Sequence, residues 1–218
     1  MKQKDKLISV SIDDGHPLDL KAAEILAKKN IHTTFYITIK NSTGRPTLNR
    51  RQIKYLSQNP DFEIGGHTYN HIDLTKVTLK KAEEEIRTGK EELEDIIGKK
   101  ITTFAWPWGR YNQQLVNLVK KIGFLDCRSA AILNFNLVNK KNFLWHPNLA
   151  IYPHPIIRGV RNCLKRLDYY SLFIRLQNIN KNQLELIQIF KETNKQYHLW
   201  FHSWEIEELK LWNIIKFF

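Results

Sequence analysis

The alternation of short apolar runs with amphipathic segments is the feature that most constrains how this chain folds. Runs rich in β-branched and aromatic residues, such as KLISVSI (6–12) and IHTTFYITI (31–39), are followed by helical patterns, such as PLDLKAAEILAKKN (17–30). This order is typical of βα units arranged around a parallel sheet or barrel. In such a barrel the chemistry sits at the carboxyl ends of the strands, so functional groups are expected where the runs stop.

The same alternation continues toward the C-terminus with one interruption. Further strand patterns are DFEIGGHT, ITTFAWPWG, FLDCRSA and YHLWFH, and further helical patterns are TLNRRQIKYLSQN, TLKKAEEEIRTGKEELEDIIG, QQLVNLVKKIG and NQLELIQIFKETN. Residues 131–180 hold three prolines and then a basic amphipathic segment, and they are predicted to form loops and an irregular helix. With 218 residues, of which 42% are hydrophobic, the chain is predicted to form a single domain over residues 1–218.

The charge of the chain narrows its partners. A net charge of +12 favours nucleic acid, an anionic membrane or an acidic glycan. The basic residues are scattered and no recognition module is visible, so specific nucleic-acid binding is not predicted. Residues 158–175 are interpreted as a solvated basic face, with peripheral contact to an anionic membrane or an acidic glycan as the alternative. Neither a signal peptide nor a membrane span is visible, which predicts a cytoplasmic location. Cys127 and Cys163 form no C-x-x-C pair, and no oligomeric state is predicted.

Four polar stretches fall where predicted strands stop. Asp13 and Asp14 follow the first strand, GGHTYNH carries His67 and His71, FAWPWGRYN carries two tryptophans, and YHLWFHSWEIEE contains His202. Each has an ordinary explanation as a turn, a helix cap, a surface imidazole or an aromatic turn. The four-residue spacing of the two histidines also suits one face of a helical turn, where a carboxylate would complete a zinc site. Four such coincidences in one chain favour a shared site.

In this order the four stretches resemble the motifs of the polysaccharide deacetylase family, whose domain is the NodB homology domain (carbohydrate esterase family 4-like). The family pattern Thr-Phe-Asp-Asp-Gly-Pro, His-Ser/Thr-x-x-His, Arg-x-Pro-x-Gly and Leu-x-His stands here as SIDDGHP, HTYNH, AWPWG and WFH, over about residues 7–205. The resemblance implies a distorted (β/α) barrel of about seven parallel strands. It also implies a metal-dependent hydrolase that removes N-acetyl groups from an amino sugar in a polysaccharide or glycan precursor.

The resemblance also implies a role for each matching residue. Asp13 looks like the general base and His202 like the general acid, while Asp14, His67 and His71 look like the ligands of one divalent cation. The cation would make the proximity of the two aspartates tolerable. Two imidazoles and one carboxylate favour Zn²⁺, with Co²⁺, Ni²⁺ or Fe²⁺ as alternatives.

Two tryptophans are predicted to contact the substrate. By family analogy the backbone N–H of Trp108 stabilises the oxyanion. Trp108 and Trp204 are also interpreted as stacking surfaces for a pyranose ring.

One departure from the family pattern concerns the general base. The family arginine of the third motif falls on Ala105, so the cation that keeps Asp13 ionised must come from elsewhere. Arg128 and Arg110 are the candidates, and Arg128 is preferred because it lies at the end of a predicted strand.

Other departures concern the general acid. Trp200 replaces the leucine of the last motif, His16 is inserted after the first, and the fourth family motif is not recognisable. The partner of His202 is therefore left between Asp126 and Glu205. These differences resemble a divergent Tyr/Trp-Pro-x-Gly branch of the family.

Two alternative functions follow from the same residues. The same metal site would suit another C–N bond, in a formyl amide or a cyclic imide. A catalytically lapsed homologue that binds glycans is the other alternative. Retention of Asp13, Asp14, His67, His71 and His202 argues against it.

Overall fold

The strands of the chain form one parallel sheet. In the computed structural model, which describes residues 7–136, 142–152, 154–177, 185–188 and 196–217, they are β1 (Leu7–Asp14), β2 (His32–Ile37), β3 (Phe62–Gly66), β4 (Thr103–Ala105), β5 (Asp126–Arg128), β6 (Leu144–Trp145), β7 (Leu149–Ala150) and β8 (Gln196–Phe201). They lie in the order β6-β5-β4-β3-β2-β1-β8-β7, and all the pairings are parallel. The predicted distorted (β/α) barrel is confirmed, with eight strands where about seven were expected.

Helices connect these strands and cover the sheet. They are α1 (Asp19–Ala27), α2 (Arg50–Leu56), α3 (Leu79–Ile97), α4 (Gln113–Lys121), α5 (Ile156–Lys165), α6 (Tyr169–Gln177), α7 (Ser203–Glu208) and α8 (Trp212–Phe217), with 3₁₀ turns at Leu74–Lys76 and Pro107–Gly109. The longest, α3, begins at the cap Thr78 and ends at Gly98, which has a φ of 73°. Gly98 therefore adopts the left-handed conformation that favours glycine at a helix end.

The central strands are buried on both faces, which explains their near-continuous apolar sequence. Val10, Ile12 and Phe35 are fully buried in β1 and β2. On the helical side, Ala82 and Leu93 of α3 are equally inaccessible to solvent. The apolar face of the helix thus packs within the core that supports the strand ends.

Side-chain contacts show that the sheet curls into a partial barrel. Arg128 on β5 reaches Asp13 on β1, although β4, β3 and β2 lie between those strands in the sheet. The rings of Trp145 on β6 and His198 on β8 lie 4.8 Å apart between their centroids. Curling therefore brings the ends of distant strands toward one site.

The predicted irregular stretch 131–180 contains more regular structure than its sequence suggests. Strands β6 and β7 have two residues each, too few for an alternating pattern to reveal them. Helices α5 and α6 follow. The helical pattern at 182–194 lies mostly outside the described residues, of which 185–188 are helical. The single domain stays a prediction.

Among the described helices, none combines the length and the apolar character needed to cross a bilayer. The predicted cytoplasmic location stays a prediction.

Candidate active site

Asp13 and Asp14, the last two residues of β1, have different partners. A guanidinium N–H (Nη2) of Arg128 donates a hydrogen bond to Asp13 Oδ1, and Nη1 of the same side chain donates to the Ser129 carbonyl at 2.8 Å. The Arg128 and Asp13 side chains are only 1% and 4% exposed. The guanidinium also lies over the ring of Tyr36, 4.8 Å from its centroid. Asp13 is thus a buried carboxylate with a fixed counter-charge.

Strand register explains how Arg128 reaches this position despite the alanine in the third motif. Ala105 on β4 and Arg128 on β5 are direct register partners. The cation therefore comes from β5, the strand next to β4, where the family pattern has its arginine and this chain has Ala105. The other candidate, Arg110, pairs with Asp73. The structure brings together the preferred pair, and its catalytic role stays a prediction.

Asp14, His67 and His71 converge as the sequence predicts. The Nε2 atoms of His67 and His71 lie 3.5 Å and 3.0 Å from Asp14 Oδ1. All three ligand atoms lie within 4.8 Å of one another. Asp14 Oδ1 is buried and has no hydrogen-bond partner in the described chain. A buried carboxylate oxygen without a hydrogen bond, facing two imidazole nitrogens, fits a divalent cation.

The surroundings of the imidazoles suit metal binding. His67 Nδ1 lies 2.8 Å from the carbonyl oxygen of Ala105. Because a carbonyl only accepts, Nδ1 carries the proton and Nε2 keeps its lone pair for a metal. Burial is the main cause that lowers the pKa of His71, which keeps its ring neutral. Neutral imidazoles and an ionised carboxylate are the forms that ligate.

The charge state of Asp14 is set by two opposing effects. Burial by itself raises its pKa, but the charge of His202 and the adjacent imidazoles of His67 and His71 outweigh burial. The pKa of Asp14 therefore lies well below its usual range. Its other oxygen, Oδ2, accepts a hydrogen bond from Trp204 Nε1 at 2.9 Å.

This bond gives Trp204 a contact that sequence reasoning missed, because the residue was predicted only as a sugar platform. Its indole also stacks on His202, with centroids 5.1 Å apart, and lies under the guanidinium of Arg45 at 3.5 Å. Trp204 therefore links Asp14 to His202. Its stacking on a sugar stays a prediction.

Helix α3 holds the loop that carries the two histidines. The buried carboxylate of Glu85 accepts hydrogen bonds from the backbone N–H and side-chain amide of Asn70, at 2.9 Å and 2.8 Å. Gly89 lets the helix approach closely, since a Cβ there would lie 2.7 Å from the carbonyl carbon of Thr68. The sequence carried a signal for both residues, because an acid and a glycine fall within the apolar stripe around Ala82 and Leu93.

Backbone strain is concentrated at the same place. Seven non-glycine residues of the described chain have positive φ, and four of these belong to the candidate site. They are Asp14 (81°), Thr68 (65°), His71 (55°) and Trp108 (61°). Such conformations are unfavourable for residues with a Cβ and cluster at functional sites.

His202 follows β8 and lies against the other side of the site. Its Nδ1 is 3.0 Å from Glu205 Oε2, whereas Asp126 accepts from Thr103 and Trp145. Of the two acids considered as its partner, Glu205 is therefore the one in contact. Burial lowers the pKa of His202, but the carboxylates of Asp14, Glu205 and Asp13 raise it by more than burial lowers it, so the pKa is about 9. His202 is thus protonated at neutral pH.

One cleft of about 750 Å³ is lined by Asp13, Asp14, His67, His71 and His202. Trp108 lies at its edge, with 54% of the residue exposed and its ring 5.3 Å from that of His71. Asp13 and Asp14 are buried, and Trp204 and Tyr152 contribute to the walls. A sugar-sized ligand can therefore reach the buried carboxylates from solvent.

Comparison with known proteins indicates the family to which the chain belongs. The family model described as polysaccharide deacetylase matches residues 1–125. The peptidoglycan-N-acetylmuramic acid deacetylase PdaA of Bacillus subtilis is 27% identical over 142 residues, 63% of this chain and 52% of that protein. The chitooligosaccharide deacetylase of Azorhizobium caulinodans is 30% identical over 124 residues, 56% of this chain and 57% of that protein. The chain spans about half the length of these two relatives.

Solved structures show the same fold. The Streptococcus pyogenes deacetylase PplD superposes with a TM-score of 0.59 at 20% identity, covering 72% of this chain and 68% of that one. BA3943, a CE4 family pseudoenzyme from Bacillus anthracis, covers 97% of this chain and 60% of its own, with a TM-score of 0.56 at 15% identity. With the family model matching more than half of its length, the chain belongs to the polysaccharide deacetylase family.

Proposed function

We propose that this protein is a metal-dependent hydrolase that removes N-acetyl groups from an amino sugar in a polysaccharide or glycan precursor. The observation that carries the proposal is the buried Asp14 Oδ1, which has no hydrogen bond and faces two imidazole nitrogens. The Asp13–Arg128 pair and His202 line the same cleft or contact it. The names of the peptidoglycan and chitooligosaccharide deacetylase relatives support the substrate class.

The metal would be held by Asp14, His67 and His71, with Zn²⁺ as our first choice and Co²⁺, Ni²⁺ or Fe²⁺ as alternatives. When bound, such a cation polarises an amide carbonyl and makes nearby water more acidic. Trp204 orients Asp14 through Oδ2, and the Ala105 carbonyl fixes the tautomer of His67. Such outer contacts commonly contribute to metal affinity.

The chain's own residues then handle two protons. As water adds to the acetyl carbon, Asp13 accepts the water proton, and Arg128 provides the counter-charge beside it. When the C–N bond breaks, protonated His202 donates a proton to the departing nitrogen, which leaves as the amine of the sugar. Acetate is the second product. Trp108 is proposed to stabilise the oxyanion through its backbone N–H and to stack on the sugar.

Acetate release from a panel of N-acetylated sugars and oligosaccharides tests the proposal. In metal-replete protein, Asp13→Asn and His67→Ala should both lose activity, and only His67→Ala should also lose metal. His32→Ala, an exposed histidine outside the cleft, is the matched control and should keep both. Absence of acetate release from wild-type protein with bound metal would contradict the proposal.

The same preparation of metal-replete protein distinguishes two alternative functions. Hydrolysis of formyl amides or cyclic imides in place of acetylated sugars would indicate the same site acting on another C–N bond. Binding of sugars without any turnover would indicate a catalytically lapsed glycan-binding homologue. BA3943 of Bacillus anthracis, a pseudoenzyme with a similar fold, is a precedent for a family member without activity.

Peripheral contact with an anionic membrane is proposed as a further property. Eight of the thirteen large hydrophobic residues exposed in the described chain lie within residues 156–176, and α5 in that segment also carries basic side chains. An apolar surface with adjacent cations is typical of membrane-surface helices. In sedimentation with equimolar phosphatidylcholine–phosphatidylglycerol vesicles, wild-type protein should be found in the vesicle pellet and Phe173→Glu in the supernatant. Equal binding of both proteins would contradict the membrane contact. An acidic glycan is the alternative partner.

A further inference from the structure

Helix α5 contributes an uncompensated basic surface to the wall of the catalytic cleft. Arg158, Arg161 and Lys165 are exposed and line the cleft together with Asn162. Their spacing of three and four residues aligns them on one side of the helix. Gly159 and Cys163, on the other side, are buried.

The other cations of the cleft rim have acidic partners. Arg45 pairs with Glu208 at 3.2 Å and Arg166 with Asp168 at 3.2 Å, and Arg110 pairs with Asp73. Within the described ranges, the three cations of α5 have no carboxylate in salt-bridge contact. The polar contact recorded for Arg158 is with His154 Nδ1, at 3.5 Å. That contact does not neutralise Arg158, because burial and neighbouring cations lower the pKa of His154 to about 4 and keep its ring uncharged.

The acidic residues of the cleft do not neutralise α5 either. Asp13 is bonded to Arg128, and Asp14 faces the two imidazoles. Glu205 contacts His202, which is protonated. In the described chain none of these three carboxylates forms a salt bridge with α5, so the α5 wall keeps three positive charges that line the space where the substrate binds.

We propose that Arg158, Arg161 and Lys165 form a subsite for a phosphoryl group on the amino-sugar substrate. This inference rests on the proposed function, because it adds a charged substituent to the sugar bound in the same cleft. The oxygens of a phosphoryl group match the fork of an arginine guanidinium and carry up to two negative charges. A phosphoryl group therefore suits three cations better than a single carboxylate does. The phosphoryl group would come from a nucleotide-linked or a lipid-linked sugar.

Binding to metal-free protein tests the subsite without requiring catalysis. Isothermal titration would compare N-acetylglucosamine with its 1-phosphate, its uridine diphosphate ester and a short polyprenyl diphosphate ester. Any of the phosphorylated probes is expected to bind at least about tenfold more tightly than the neutral sugar. The relative affinity of the nucleotide and polyprenyl probes distinguishes the two sources, and tight binding of either supports the subsite.

Two triple variants, each of which removes three positive charges, provide the test and its control. Arg158→Gln/Arg161→Gln/Lys165→Gln should abolish the preference for phosphorylated probes. Lys28→Gln/Arg51→Gln/Lys99→Gln, which removes three charges outside the cleft, should preserve it. Circular dichroism of both variants checks that they fold.

Several results would overturn the inference. They are equal binding of neutral and phosphorylated sugars, a preference that survives the α5 substitutions, or binding of N-acetylmuramic acid as tightly as the phosphorylated probes. Acetate release is measured separately. If phosphorylated sugars bind through α5 but no sugar releases acetate, the proposed function fails while the subsite stands. If neutral sugars release acetate and phosphorylated probes bind no more tightly, the subsite fails while the proposed function stands.

Discussion

Replacing Arg128 by methionine should destabilise the protein mainly by leaving Asp13 buried without a counter-charge. The two side chains are 1% and 4% exposed, so solvent cannot replace the lost partner. Removing one member of a buried ion pair costs about 3–5 kcal/mol.

A double-mutant cycle separates this effect from lost packing against Tyr36 and Trp200, which the guanidinium also contacts. Asp13→Asn/Arg128→Met removes both charges, and it should be more stable than Arg128→Met alone by about 2 kcal/mol, since only a neutral amide is left unpaired. The assay is urea unfolding of metal-free protein, followed by circular dichroism. Arg50→Met, which removes two exposed ion pairs, with Glu92 and Asp95, is the control and should change stability little.

Catalysis gives a second readout on the same variants. If Arg128 supports Asp13 as the base, Arg128→Met should lower the rate of acetate release by about 10²–10⁴-fold at neutral pH, as expected for loss of a general base. Losses of stability that simply add in the double variant would refute the coupling between Arg128 and Asp13. Full activity of Arg128→Met would refute its role in supporting the base.

Three further predictions concern the groups around the site. Gly89→Ala should destabilise the fold and weaken metal binding, because its Cβ meets the Thr68 backbone at 2.7 Å, whereas Gly159→Ala meets nothing closer than 4.0 Å and should be tolerated in thermal unfolding. Burial raises the pKa of Asp19 well above its usual range, so the contribution of Asp19 to stability is full below about pH 4 and is lost as the pH rises through that raised value. Asp19→Asn should remove this component of the pH dependence in urea unfolding, and an unchanged profile would contradict it. The pKa of His202, about 9, should decrease in Glu205→Gln when followed by NMR titration, and an unchanged value would contradict the contact.

The parts of the fold that sequence alone predicted share a physical cause. The long central strands are buried on both faces, so β1, β2 and β8 appear as apolar runs, and α3 appears through its apolar stripe and its Gly98 cap. Strands β6 and β7 were not predicted from the sequence, because a strand of two residues has no detectable periodicity. Their pairing is decided by the neighbouring strands rather than by their own sequence.

The candidate site was predictable to the extent that its residues follow strand ends. Asp14, His67 and His71 meet because the ends of parallel strands share one edge of the sheet. The preference for Arg128 over Arg110 had the same basis, and strand register supplies the reason that the sequence could not, namely the pairing with Ala105.

Other features of the site depend on tertiary contacts that no local pattern encodes. The bond from Trp204 to Asp14 joins residues 190 positions apart. The contact of Glu85 with the histidine loop depends on how α3 packs. The choice of Glu205 over Asp126 as the partner of His202 required the positions of β4 and β6 around Asp126.

Anomalous X-ray diffraction at the zinc absorption edge, from crystals grown with Zn²⁺, tests the proposed metal centre most directly. We expect one strong peak about 2.0–2.2 Å from Asp14 Oδ1 and from the Nε2 atoms of His67 and His71, with Asp13 bonded to Arg128 and outside the coordination shell. A peak that is absent from this position, or that includes Asp13 in place of Asp14, would contradict it.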